Sequence, residues 1–344
     1  MGIKNLTSII KHNAPDGIRQ VHLSEYRGRI LAIDTSIYLY KYMYNGNHLE
    51  GFVKQIMRLL RNNITPLYVF DGKPPDEKKE ILEDRKQKRN VLTAKKKELE
   101  LILDSIKTTD ISDESTQLST DVIEEPIDSG MNQEQVKAEL QKITKKIIRI
   151  TSNDIQQCKE LFKLFGVPYI DSDGEAEDLC SQLCKEGLVY GCLSEDTDIL
   201  ANGGCLFIRD FNANSDYVSE YSLSVILDSL KLTYAQFVDM CILCGCDYTN
   251  KISGIGPVNA FKYVSLYETI DNIIENINNN TLKKHNIPDN FDYIKARELF
   301  NTINKTVYNK EMFKQSLIKT DQLIEFINKN CNLSKTILRV IHKL

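Results

Sequence analysis

Residues 29–34 read RILAID and residues 67–71 read LYVFD, two short apolar runs that each end on an aspartate. Continuous apolar runs of this length suit strands buried on both faces. Further runs lie at 189–193 (VYGCL) and 205–208, with another candidate at 168–170, and helical patterns alternate with them. That alternation predicts an α/β fold, a parallel sheet wrapped by helices on both faces. Chemistry in such sheets sits beyond the carboxyl ends of the strands, so Asp34, Asp71 and the pair Asp196 and Asp198 are expected to share one edge. From about residue 233 the pattern is helical to the end.

The chain has 344 residues, 42% apolar and 27% charged, ordinary values for a globular protein of one large or two modest domains. No apolar run approaches the ~18 residues of a membrane span. The N-terminus lacks the basic and apolar regions of a secretion signal, and Leu6 stands where a myristoylation signal needs Ser or Thr. An intracellular protein with no membrane partner is expected. Nine cysteines in such a chain read as free thiols. Cys241, Cys244 and Cys246 have no second CxxC or nearby His to complete a zinc site, so they read as buried hydrophobes of a helix.

A net charge of −4 argues at first against a nucleic-acid partner, but the charge is unevenly spread. Residues 105–135 hold eight acids against one base, Lys107, and the rest of the chain is +3. Residues 78–97 carry nine Lys or Arg against three acids, a basic element able to meet a phosphate chain. Residues 105–132 are rich in Ser, Thr, Asp and Glu, and read as a solvated insert between basic helical stretches at 78–104 and 133–164.

Seven acids stand where a strand-edge site could use them: Asp34, Asp71, Glu175, Glu177, Asp196, Asp198 and Asp247. Glu175 and Glu177, in GEAED, fall in the expected first turn of a helix, and their i, i+2 spacing converges only if that turn is irregular. Asp196 and Asp198, in SEDTD, follow a strand directly. Carboxylates gathered in one place repel each other unless cations neutralise them, and oxygen-only donors select hard ions, Mg²⁺ or Mn²⁺. Two such ions about 4 Å apart serve phosphodiester hydrolysis. Lys78 and Arg85 lie seven apart, which predicts one helix face and a grip on a scissile phosphate. Backbone amides in SGIGP (253–257) could cradle a phosphate. Tyr38, Tyr40, Tyr42 and Tyr44 alternate within a helix, so most are packing residues and one could stack on an unpaired base.

In order, MGIKNL, LAIDTS, YVFDGKPP, DGEAED, LSEDTDIL, ILCGCDY and ISGIGPVNA resemble the flap endonuclease family, from residue 1 to about 275 and weakly beyond. The resemblance implies a PIN-like parallel twisted sheet, a helical arch over the site and a helix-hairpin-helix element. It divides the chain into a nuclease region at 1–104 and 133–232, the acidic arch insert at 105–132, a DNA-binding element at 233–275 and a C-terminal helical region at 276–344 packing on the core. It implies a 5′ endonuclease and exonuclease acting on flapped or branched DNA in replication, repair or recombination, in the nucleus or another replication compartment. One of two Mg²⁺ ions would draw on Asp34, Asp71, Glu175 and Glu177, the other on Glu177, Asp196, Asp198 and Asp247. By the same resemblance Lys78 and Arg85 look like the basic pair of the helical gateway, Tyr40 like the residue that stacks on the displaced nucleotide, and Gly2 like the family's N-terminal residue near the site. The turn with Gly254 and Gly256 is similar to the family's hairpin, which holds duplex phosphates and a K⁺ ion.

The chain departs from the family pattern in three places. Between YVFDGKPP and GEAED it is longer by roughly thirty residues, coincident with the acidic insert, which would compete with DNA if it folded back on the basic helices. Val258 and Asn259 replace basic residues of the hairpin. The segment QLIEF (322–326) lacks the paired aromatics of a sliding-clamp peptide, so clamp recruitment by a C-terminal peptide is not expected, and the chain reads as a monomer. A 5′ exonuclease or gap nuclease, a catalytically silent junction-binding scaffold and a 5′-to-3′ ribonuclease are the competing readings. The full complement of acids speaks against the scaffold, and the hairpin pattern against the ribonuclease.

Overall fold

The computed structural model describes residues 2–109, 132–212, 214–282, 284–304 and 306–341. Most of the acidic insert, residues 110–131, lies outside them. The chain divides into two compact units, one of residues 1–78 and 151–344, the other of residues 79–150.

The first unit is built on a seven-stranded sheet. Its strands are β1 (Ile18–His22), β2 (Ile30–Asp34), β3 (Thr65–Phe70), β4 (Tyr169–Asp171), β5 (Gly191–Leu193), β6 (Leu206–Arg209) and β7 (Tyr217–Ser222), in the order β1-β7-β6-β5-β2-β3-β4. β6, β5, β2, β3 and β4 are parallel, with Ala32 opposite Leu67 and Cys192. β7 and β1 extend the sheet antiparallel, two strands absent from the sequence reading. They are mixed in polarity: Glu220 of β7 is buried, bonded by Arg19 of β1 and by the Tyr26 hydroxyl at 2.7 Å. A buried carboxylate so paired looks like a surface residue in the sequence, which hides the strand.

Residues alternate faces along a strand, so β3 shows how the sheet is covered on both sides. Tyr68 stacks on Phe162 of helix Ser152–Phe165 at 4.0 Å, with Phe52 of helix His48–Arg61 edge-on to both. Leu67 and Val69 instead join the core that contains Ala176, Leu179, Cys180 and Leu183 of helix Ala176–Lys185. With both faces occupied, the central strands stay apolar throughout, as the runs at 29–34 and 67–71 predict. After residue 233 the unit is helical, and Cys241 and Cys244 are buried free thiols in helix Tyr234–Cys244. Among the described residues no helix is long and apolar enough to cross a membrane.

The second unit is a pair of helices, Lys79–Thr109 and Gln133–Lys146. Leu99, Val136 and Ile143 are its buried core, Lys95 pairs with Glu139 at 3.2 Å, and the second helix opens with a capping box between Asn132 and Gln135.

Candidate active site

β2 ends on Asp34, which is also the N-cap of helix Thr35–Tyr44: its Oδ1 accepts from the Ile37 amide at 3.3 Å, and its Oδ2 from the Ser194 hydroxyl at 3.0 Å. Asp71 follows β3 directly and accepts the Ala176 amide at 2.8 Å, so it caps helix Ala176–Lys185 from across the sheet edge. Glu175 is that helix's N-cap residue, with extended backbone (φ −81, ψ 147), and Glu177 lies in its first turn. The change of backbone between them is the irregularity that their i, i+2 spacing requires.

Asp196 lies between β5 and the short helix Asp198–Ala201, which Asp198 opens. The loop is held by its own polar groups: the Asp196 amide donates to Ser194 Oγ at 3.0 Å, and the Asp198 amide to Asp196 Oδ1 at 3.1 Å. Carboxylate oxygens of Glu177, Asp196 and Asp198 all lie within 4.8 Å of one another, and all three residues are buried. Asp198 Oδ1 is buried with no hydrogen-bond partner. An oxygen-only donor set with an orphaned buried carboxylate oxygen fits a hard divalent cation.

Electrostatics ties further acids to the cluster. Burial, then Asp71 and Asp196, push the Asp34 carboxyl up to about 7. Burial and Glu175 hold Glu177 well above the ordinary carboxylate range, with Lys78 opposing. Burial and Asp196 do the same to Asp198, where Asp247 adds to the repulsion. Lys78 reaches into this field, its Nζ 2.7 Å from Glu175 and 3.5 Å from Glu177, above the ring of Tyr248. Burial disfavours its charge, but Glu177, Glu175 and Asp198 outweigh burial and hold the ammonium protonated.

Other candidates are placed as follows. Gly2 (φ +81) lies against the cluster: a Cβ there would meet Asp196 Oδ1 at 2.0 Å and Asp198 Oδ1 at 2.8 Å. Tyr38 is buried and Tyr42 half-buried, while Tyr40 is 44% exposed on the other side of helix Thr35–Tyr44. Lys78 ends the short 3-10 turn Asp76–Lys78, so no continuous α-helix joins it to Arg85, which belongs to the other unit. In the hairpin, Gly254 has φ +79 and Gly256 caps helix Pro257–Tyr267. Val258 is exposed, and the Asn259 amide donates to the Gly254 carbonyl at 3.0 Å.

Three participants escaped the sequence reading. Asp178, the third acid of GEAED, is pushed up to about 7 by burial and Glu175, and accepts from the Asn202 amide at 2.7 Å. Tyr248 donates to Glu175 at 3.0 Å, and Ser194 bonds Asp34. Their signal is adjacency to acids already singled out, which sequence spacing alone does not separate from chance.

Residues 1–91 match the XPG N-terminal domain and residues 166–247 the XPG I-region. Flap endonuclease 1 of Glycine max is 34% identical over 365 residues, covering 100% of this chain and 86% of that protein. Flap endonuclease 1 of Drosophila mojavensis is 34% identical over 345 residues, covering 95% and 80%. Among solved structures, the catalytic core of Rad2 in complex with DNA substrate has the same fold, with a TM-score of 0.71 at 22% identity and 99% and 98% coverage. With both XPG regions matched and a third of the aligned positions identical across the whole chain, this chain belongs to the flap endonuclease family.

Proposed function

We propose that this chain hydrolyses one phosphodiester of 5′-flapped and related branched DNA near the junction of double and single strand, with two Mg²⁺ ions held by its acidic cluster. The observation that carries the reading is the convergence of Glu177, Asp196 and Asp198 within 4.8 Å, buried, with one carboxylate oxygen unpartnered. Asp34, Asp71 and Glu175 complete one side of the ligand set and Asp247 the other, and Mn²⁺ substitutes for Mg²⁺. Bound there, the ions would supply an acidified water and neutralise charge on the leaving oxygen.

The chain's own groups do the rest. Ser194 and the Ile37 amide orient Asp34, and the Ala176 amide orients Asp71. Lys78 supplies positive charge beside the carboxylates and polarises the scissile phosphate, and Arg85 offers the DNA backbone a further cation. Tyr40 stacks on the displaced nucleotide, and Gly2 keeps the approach to Asp196 free of a side chain. The hairpin at Gly254 and Gly256 holds duplex phosphates and a K⁺ ion through backbone atoms, reading shape rather than sequence. As a flap endonuclease the protein acts on DNA, and so inside the cell; the nucleus is the compartment proposed, with the chain working as a monomer.

The test is cleavage of flapped, gapped, blunt and RNA substrates with Mg²⁺, beside Asp196→Ala. Flap cleavage near the junction, lost in the variant, is expected. Equal product from both proteins would exclude these acids, and preference for gapped or blunt ends would move the enzyme to the exonuclease branch.

A further inference from the structure

Gly245 follows helix Tyr234–Cys244, two residues before Asp247, with φ +109. Its carbonyl accepts from the Lys4 amide at 3.1 Å. Over its α-carbon lies the stem of Lys251: a Cβ at 245 would meet Lys251 Cε at 1.9 Å and Nζ at 2.8 Å. Glycine therefore both permits the backbone turn and makes room for the lysine.

The Lys4 ammonium acts on that of Lys251 here, and among the described residues no carboxylate neutralises either. Burial, then Lys4, lowers the Lys251 ammonium, and the other groups that act on it are the neutral thiols of Cys244 and Cys246. Among the described residues neither Lys4 nor Lys251 forms an ion pair with a carboxylate. Elsewhere in this unit partly buried lysines are paired, Lys78 with Glu175 and Lys41 with Glu195 at 2.8 Å. A half-buried lysine facing a second cation without an acid is unfavourable in the free protein, and an anion between them relieves the repulsion.

Position suggests which anion. Lys251 follows Asp247 of the acidic set by four residues and precedes Gly254 of the hairpin turn by three. The hairpin itself offers little charge at this point, because the first turn of helix Pro257–Tyr267 reads PVNA and Asn259 is spent on the Gly254 carbonyl. We propose that Lys4 and Lys251 form a phosphate-binding site that grips the DNA backbone between the metal cluster and the hairpin, supplying the charge that the hairpin lacks. The proposal rests on the nuclease reading above and adds a substrate contact to it.

The test is equilibrium binding of a 5′-flapped duplex by K4Q/K251Q over a range of salt, with Ca²⁺ replacing Mg²⁺ to prevent turnover, together with steady-state cleavage. The double variant should bind about tenfold more weakly, with a salt slope smaller by about two, and show a raised KM with kcat nearly unchanged. Its metal-free Tm should not fall, since a repulsion has been removed. K4R/K251R should bind like wild type; a loss as large as in the Gln variant would assign the effect to packing and overturn the site. Unchanged affinity and slope in K4Q/K251Q, beside a wild type that binds and cuts flaps, would overturn the site alone. A wild type that neither binds nor cuts them would overturn the nuclease reading as well.

Discussion

The sheet-built unit and the helix pair at 79–150 carry charge in opposite ways. In the first, Asp34, Glu177, Asp196 and Asp198 are buried on strand ends and helix starts, repelling one another inside a frame whose core includes Phe52, Tyr68 and Phe162. In the second, lysines and arginines line long helices whose buried core is Leu99, Val136 and Ile143. Buried like charge is tolerated only where packing is strong enough to hold it, and it is useful because a cation then binds with the repulsion as part of its driving force. Exposed cations are screened by water and salt and need no such frame, only a helix to space them. Precision belongs to the first unit and reach to the second.

The sharpest way to break this contrast is to remove one buried charge. Asp198→Asn should lower flap cleavage by about 10²–10³-fold or more while raising the metal-free Tm, because the orphaned carboxylate no longer ionises against Asp196. Calorimetry beside single-turnover cleavage checks both; lower Tm together with lower activity would mean that Asp198 is structural.

A middle-sized effect is expected from thinning the other core. Ile143→Ala should cost the helix pair about 2 kcal/mol, with little to share the loss in so small a cluster. Hydrogen exchange of the full chain should show faster amides in Lys79–Thr109 and Gln133–Lys146, with β2 and β3 as protected as before. Equal loosening of β2 and β3 would show that the two units open as one.

The smallest effect is on pH. Asp34, held near 7 in the fold, keeps a proton that the unfolded chain gives up near pH 4, so its contribution to metal-free stability declines as pH climbs from about 4 through 7. Burial, Glu175 and Lys78 act on Asp178 to the same net result. Mg²⁺ should thus raise Tm more at pH 8 than at pH 6, by on the order of a few degrees. An equal increment at both would mean that the ion does not meet these carboxylates.

Much of this was readable from residues alone where the pattern is local. The apolar runs before Asp34 and Asp71 mark β2 and β3 because a strand buried on both faces needs an unbroken run. GEAED marks a helix start, and the buried cysteines mark helix Tyr234–Cys244. Where polarity is settled by a distant partner the reading failed: β7 was hidden by Glu220, whose neutralising Arg19 is 201 residues away. The supposed single helix from Lys78 to Arg85 failed for a different reason, a 3-10 turn that side-chain spacing does not report.

The order of acids along the chain, their place after strands and at helix starts, and the uneven spread of charge follow from sequence, since each depends on near neighbours. That Glu177, Asp196 and Asp198 meet within 4.8 Å, that Asp71 caps a helix 105 residues on, and that the Lys4 backbone and the Lys251 side chain meet at Gly245 were decided by tertiary structure. The register of parallel strands sets those distances, and register is fixed by packing between segments far apart in the chain.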